Sequence, residues 1–146
     1  MRDETVIAFD FGMKRIGVAV GELRLGSARA LQTIVAEDND ARFAAIGKLV
    51  AEWRPARLIV GQPFNEDGTA HEMTARCERF ANQLRGRFSL PVDGVDERFS
   101  SLEAELELRA PSRQRRLSWQ ERKERIDAEA ARIILQSWMD THAPLA

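Results

Sequence analysis

The chain has 146 residues, of which 44% are hydrophobic and 31% charged, and its formal net charge is −1. These values fit a globular chain and argue against a disordered one; they suit one domain with a single core and give no whole-molecule charge argument for a polyanion partner. No apolar run approaches the roughly 20 residues that span a bilayer, and the single cysteine, Cys77, excludes an internal disulfide or a thiolate metal cage.

The N-terminal stretch MRDETVIAFDFG lacks the basic, apolar and small-residue regions of a signal peptide, so a reducing cytoplasm is the expected compartment. Residues 5–10 (TVIAFD) form an apolar run suited to a central strand covered on both faces. Gly12 permits a turn into a second strand at 15–20 (RIGVAV), and a third is expected within 28–36. From Asp38 to Trp53 the period becomes helical: Phe43, Ile46, Val50 and Trp53 share a face, and Asp38 or Asn39 caps it. RLIVG (57–61) is a short buried strand, followed by the loop QPFNEDG.

Thr69 with Glu72 has the spacing of a capping box, and Met73, Cys77, Phe80, Ala81 and Leu84 form the stripe of a second helix. PVDGV (91–95) is a fifth strand. Ser100 with Glu103 opens a helix expected to reach about Leu108, and Ser118 with Glu121 opens a last one reaching about Met139. The three strands with short connections should be antiparallel, and the strands reached across helices parallel to the first. The expected fold is α/β: a five-stranded mixed sheet with helices on both faces.

In such a sheet ligands gather beyond the carboxyl ends of the parallel strands. Asp10 ends the first strand, and Asp96 and Glu97 end the last. On the final helix, at about 100° per residue, Asp127 falls between Ile134 and Trp138, in the middle of the apolar stripe. An unpaired buried carboxylate costs several kcal/mol or takes up a proton, so a cation should compensate it. One candidate is an arginine, Arg15 or Arg98. The other is a hard divalent ion, Mg²⁺ or Mn²⁺, for which carboxylate oxygens are the preferred donors. Sequence pattern leaves both open.

Local charge is uneven. Residues 109–125 carry seven arginines or lysines against two glutamates. Arg113, Arg115 and Arg116 would meet a polyanion there, or form an ordinary solvated surface. Trp119, within this run, either stacks on a base or packs in the first turn of the last helix. His71 and His142 lie away from the acids and read as surface or loop residues. Cys77 reads as core, and Ser100–Ser101, with no histidine partner, as caps.

The segments DFGMKRIGVAV, IVGQPFNEDGT, VDERFSS and DAEAARIILQSW, in this order and spacing from about Val6 to Trp138, resemble the YqgF family. This family is also called RuvX or the pre-16S rRNA nucleases, and was earlier described as Holliday junction resolvases. The resemblance implies a ribonuclease H-like fold and a cytoplasmic, metal-dependent nuclease that processes the 5′ end of pre-16S rRNA. It assigns the catalytic and metal-binding acids to Asp10, Glu97 and Asp127, with Asp96 adjacent. It also matches the loop of Gly61, Pro63, Asn65, Asp67 and Gly68, making Asn65 a substrate-binding position. Lys14, Arg15 and Arg98 are placed to contact phosphate, or are ion-paired surface charges.

Three other functions compete. A junction resolvase must cut two symmetric strands and normally works as a dimer, whereas no apolar stripe is left over here and a monomer or weak dimer is expected. A non-catalytic nucleic-acid-binding module of the same fold is the second. An acid–glycine strand end before a hairpin also resembles the phosphate loop of actin-like ATPases and sugar kinases, which need two such domains.

Overall fold

The computed structural model describes residues 4–63, 72–96 and 119–142. Five strands, β1 (Thr5–Phe11), β2 (Arg15–Glu22), β3 (Ser27–Val35), β4 (Arg57–Gln62) and β5 (Val92–Asp96), form one sheet in the order β3-β2-β1-β4-β5. The pairs β1–β2 and β2–β3 are antiparallel, and β1–β4 and β4–β5 are parallel. This is the expected mixed sheet. Two-residue alternation along β1 and β2 separates two cores. Ile7, Phe9, Ile16, Val18 and Val20 face one side, and Val6, Ala8 and Ala19 face the other.

The first face is covered by α1 (Asn39–Trp53) and α2 (Glu72–Phe88). Asp38 caps α1, its carboxylate accepting from the Ala41 N–H at 3.0 Å, and the chain leaves through Arg54 in the left-handed region at φ 47°. Phe80 of α2 holds this core together, stacking on Phe11 with ring centroids 4.6 Å apart and meeting Phe9 and Phe43 at 5.8 Å. Cys77 is fully buried, as expected. The α1 stripe is rotated from expectation: Arg42 and Leu49 are buried with Phe43 and Ile46, while Val50 and Trp53 are only partly covered.

The second face is covered by α3 (Trp119–His142), whose Ala131, Ile134, Leu135, Trp138 and Met139 are buried against Val6, Ala8, Ala19 and Ile59. Ile134 and Trp138 lie on this face as the spacing indicated, with Ala131, Leu135 and Met139 buried beside them. On β2 the residues toward α3 are Arg15, Gly17, Ala19 and Gly21. The small size of Gly17, Ala19 and Gly21 lets the helix lie unusually close. A Cβ built on Gly17 would stand 1.9 Å from the Asp127 carbonyl oxygen, and one on Gly21 would stand 2.6 Å from the Met139 methyl carbon. The helix therefore runs parallel to β2, with Asp127 over Gly17 and Met139 over Gly21.

Polar contacts fix α3 lengthwise. Trp138 Nε1 donates to Asp93 of β5 at 3.1 Å. Gln136 bridges the backbone where β3 begins, accepting from the Ala28 N–H and donating to the Gly26 carbonyl, each at 2.9 Å. Near the other end Thr33 donates to the Glu124 carbonyl at 2.5 Å. A helix fastened to the edge strand in this way blunts its capacity to pair with another chain. The helix expected over 100–108 lies outside the described residues, as do Thr69, His71 and Ser100–Ser101. No helix among the described residues is long and apolar enough to cross a membrane.

The glycine contacts carry a direct test. Gly17→Ala should destabilise the fold by about 1–3 kcal/mol or more, because the helix backbone cannot yield as a side chain would. Gly86→Ala, on the exposed face of α2 with nothing within 4 Å, should instead stabilise by about 0.4–1 kcal/mol. Urea unfolding of both variants measures the difference. Equal midpoints would mean that α3 does not depend on Gly17.

Candidate active site

Alternation along β1 carries the pattern Val6, Ala8 onward to Asp10, so this acid lies on the α3 side of the sheet. In the β1–β2 ladder Asp10 is opposite Gly17. Gly17 is also the point where the α3 backbone comes down at Asp127. Strand register and helix approach thus bring two acids remote in sequence to one place, at the C-terminal ends of the parallel strands. Both line an open pocket of about 280 Å³ with Phe11, Gly12, Met13, Lys14 and Arg15.

Arg15, two residues before Gly17 and on the same face, reaches Asp127, with Nε 2.5 Å from Oδ2. The structure therefore supplies one of the two compensations that the sequence left open. The side chains retain 27% and 20% exposure, so this is a partly solvated pair at the pocket wall. Burial of Asp127 pushes its carboxyl above the ordinary value of 3.8 by desolvation, against the lowering effect of the Arg15 hydrogen bond and charge.

At the end of β5, Val92 belongs to the α1/α2 core and Val95 packs against the α3 core. The same alternation assigns Asp96 to the face away from Asp10. Glu97 itself lies outside the described residues, as do Asn65, Arg98, Arg113, Arg115 and Arg116. The side chain of Trp119 is likewise undescribed. His142 is exposed at the end of α3, stacked on Trp138 and away from the pocket.

In donor type Asp10 and Asp127 fit a hard divalent cation, and the pocket has room for one. In number they fall short by themselves: among the described residues no three His, Cys, Asp or Glu side chains are grouped to hold a metal. Sequence reasoning missed Arg42 altogether. It is 7% exposed and its guanidinium donates to the Met13 carbonyl in the pocket wall. The signal was present, because Arg42 precedes Ile46 by four residues and Leu49 by seven, on the apolar stripe of α1.

The raised Asp127 carboxyl has a signed consequence. The folded protein keeps this proton at pH values where the unfolded chain has lost it. The stabilising contribution is complete below about 3.8 and disappears as pH rises through the folded-state value. In metal-free buffer, Asp127→Asn should therefore gain stability relative to the parent as pH is raised from 3 to 7. Thermal melts of the two proteins across that range check the sign. A difference independent of pH would show that Asp127 has the same proton affinity folded and unfolded.

Comparison with known proteins extends the geometry. The family model described as "RuvX: Holliday junction resolvase" matches residues 4–141. The chain is 55% identical over 139 residues to a Burkholderia lata protein and 53% identical over 139 residues to one from Burkholderia multivorans. Each match covers 95% of this chain and 91% of the relative, and each relative bears the name "Putative pre-16S rRNA nuclease". Among solved structures, Thermus thermophilus RuvC in complex with a Holliday junction substrate superposes with a TM-score of 0.53 at 16% identity, covering 94% of both chains. Another structure of Thermus thermophilus RuvC gives 0.51 at 15% identity, covering 97% of this chain and 99% of that one. At such low identity these two speak to the fold, which is ribonuclease H-like. With nearly its whole length matched, the chain belongs to the RuvX family of nucleases.

Proposed function

We propose that this chain is a metal-dependent phosphodiesterase that processes the 5′ end of pre-16S rRNA in the cytoplasm. The observation that carries the reading is the convergence of Asp10 and Asp127 on one pocket beside Lys14 and Arg15. Acids in a basic-walled pocket suit a reaction in which a phosphate must be held while a hard cation is bound nearby. The names of the relatives favour rRNA over a DNA junction as substrate.

Asp10 and Asp127 would hold Mg²⁺ or Mn²⁺ together with Glu97. The facing of Asp96 away from Asp10 favours Glu97 as the acid from that strand end. A hard cation held there would supply activation of a water and neutralisation of charge on the reacting phosphate. Lys14 and Arg15 orient the phosphate from the turn between β1 and β2. Arg98 and Asn65 are further substrate contacts, and Arg113, Arg115 and Arg116 add sequence-independent affinity for the backbone. The whole chain, 1–146, acts as one nuclease domain.

Mn²⁺ or Mg²⁺ should raise the melting temperature, since a ligand bound only by the folded state at 100 times its Kd contributes about 2.7 kcal/mol. Asp10→Asn should abolish that rise without lowering the stability of the metal-free protein. An identical metal response in the variant would remove Asp10 from the site.

Cleavage of a pre-16S 5′ fragment and of a four-way DNA junction, compared with Mg²⁺ present, tests the substrate. The RNA should be cut and the junction spared; the reverse would overturn the assignment. Asp127→Asn should lose at least about 100-fold in cleavage rate, as removal of a group acting on the transition state does, while keeping its RNA affinity. A folded variant that cuts at the parent rate would exclude Asp127 from catalysis.

A further inference from the structure

The turn Gly12–Lys14 contributes three residues to the pocket wall, yet little packs on it from outside: Met13 is 47% exposed and Lys14 is also exposed. Its shape is set instead by bonds to its backbone. The Lys14 carbonyl accepts from the Ala36 N–H at 3.1 Å. The Met13 carbonyl accepts from Nη2 of Arg42.

Arg42 stands on the buried stripe of α1, on the opposite side of the sheet from Asp127. Its Nε donates to the Ala36 carbonyl at 3.0 Å, its Nη1 to Asn39 Oδ1 at 3.4 Å, and its guanidinium carbon lies 5.4 Å from the centre of the Phe11 ring. No carboxylate among the described residues pairs with it. A cation at 7% exposure is costly unless its hydrogen bonds are made. An apolar residue would fill this place beside Ile46 and Leu49 at lower cost. What arginine adds is a planar fork that holds Ala36 and Met13 at once, which a lysine ammonium cannot reproduce.

We propose that Arg42 is a positioning residue for the pocket: it fastens the Gly12–Lys14 turn to α1 and thereby sets where Lys14 and Arg15 present their charges to the substrate phosphate. The nature of that substrate rests on the nuclease reading above; the fastening does not. Without Arg42 the turn keeps its sequence and its neighbouring strands but loses the bond that fixes Met13. Lys14, with an exposed side chain on a loosened backbone, then meets phosphate in many orientations. A displacement of about 1 Å in a positioning group is enough to cost up to about 100-fold in rate.

The test uses the full chain carrying Arg42→Met, which keeps volume without the fork, and Arg42→Lys, which keeps charge. Backbone hydrogen exchange is followed well below the melting temperature of each. In both variants amides 12–15 and 36 should exchange at least tenfold faster, while the core amides of β1 and β4 keep their parent rates. With pre-16S fragment and Mg²⁺, kcat/KM should fall about 10- to 100-fold, and the metal-induced rise in melting temperature should persist. Arg42→Ala should recover part of its activity with millimolar guanidinium and none with urea.

Uniformly faster exchange across all strands would make Arg42 an ordinary core residue and overturn the proposal. So would unchanged exchange at 12–15, or parent kinetics alongside a loosened turn. If the parent protein cleaves nothing, the nuclease reading fails separately, and the exchange pattern still decides whether Arg42 fastens the turn.

Discussion

The approach of one helix backbone to one glycine governs this molecule. At Gly17 the Asp127 carbonyl occupies space that any side chain would need. That contact sets the depth of α3 on the sheet and the height of Asp127 above the strands. Asp10 is opposite Gly17 in the ladder, so the same contact places the second acid. Burial of Ile134, Leu135 and Met139 supplies the favourable energy for docking the helix, but burial is non-directional and would tolerate sliding. Gln136 and Trp138 prevent sliding through bonds to the two outer strands, β3 and β5. The pocket is thus built by packing geometry more than by its own polar contacts.

Much of this could be read in the sequence, because period and alternation are local. The strand β1 announced itself by a continuous apolar run, and the acid at its end was conspicuous for interrupting it. Asp127 stood out for the same reason within a helical stripe. The logic failed where it was applied unevenly. Arg42 interrupts the α1 stripe just as Asp127 interrupts that of α3, and reading Phe43, Ile46, Val50 and Trp53 as the face shifted the stripe enough to leave Arg42 outside it. The alternation Arg15, Gly17, Ala19, Gly21 was also visible. Its meaning, a groove for a helix backbone, depends on which element covers that face, and this is a tertiary fact.

The partner of Asp127 shows a different limit. Sequence offered an arginine or a metal as the compensating charge, and the structure supplies the arginine, Arg15. The two answers are compatible. Arg15 engages Oδ2, and a carboxylate has lone pairs for several partners. A pair that keeps 20–27% of its side-chain surface in solvent contributes little to stability by itself. The hydrogen bond and charge of Arg15 draw the Asp127 carboxyl down, against a burial that outweighs them and leaves it raised. A carboxylate is a better ligand for a hard cation than a neutral acid, so in the proposed site Arg15 would favour the ligating form of Asp127.

Arg42 and Arg15 divide the work of the same turn from its two sides. Arg15 faces α3 and answers the charge of a pocket acid. Arg42 comes from α1 and answers no carboxylate among the described residues: it meets two backbone carbonyls, an amide oxygen and the Phe11 ring. Removing an ion-pair partner changes the electrostatics of the pocket at a distance set by screening. Removing a backbone anchor changes where the charges sit, and salt cannot restore that. The β1–β2 turn is therefore held by chemistry of two ranges, and its short-range half comes from the layer of the protein that contains none of the proposed catalytic acids among the described residues. A sheet with both faces covered can tune its site from behind in this way, because the strand ends are common to both layers.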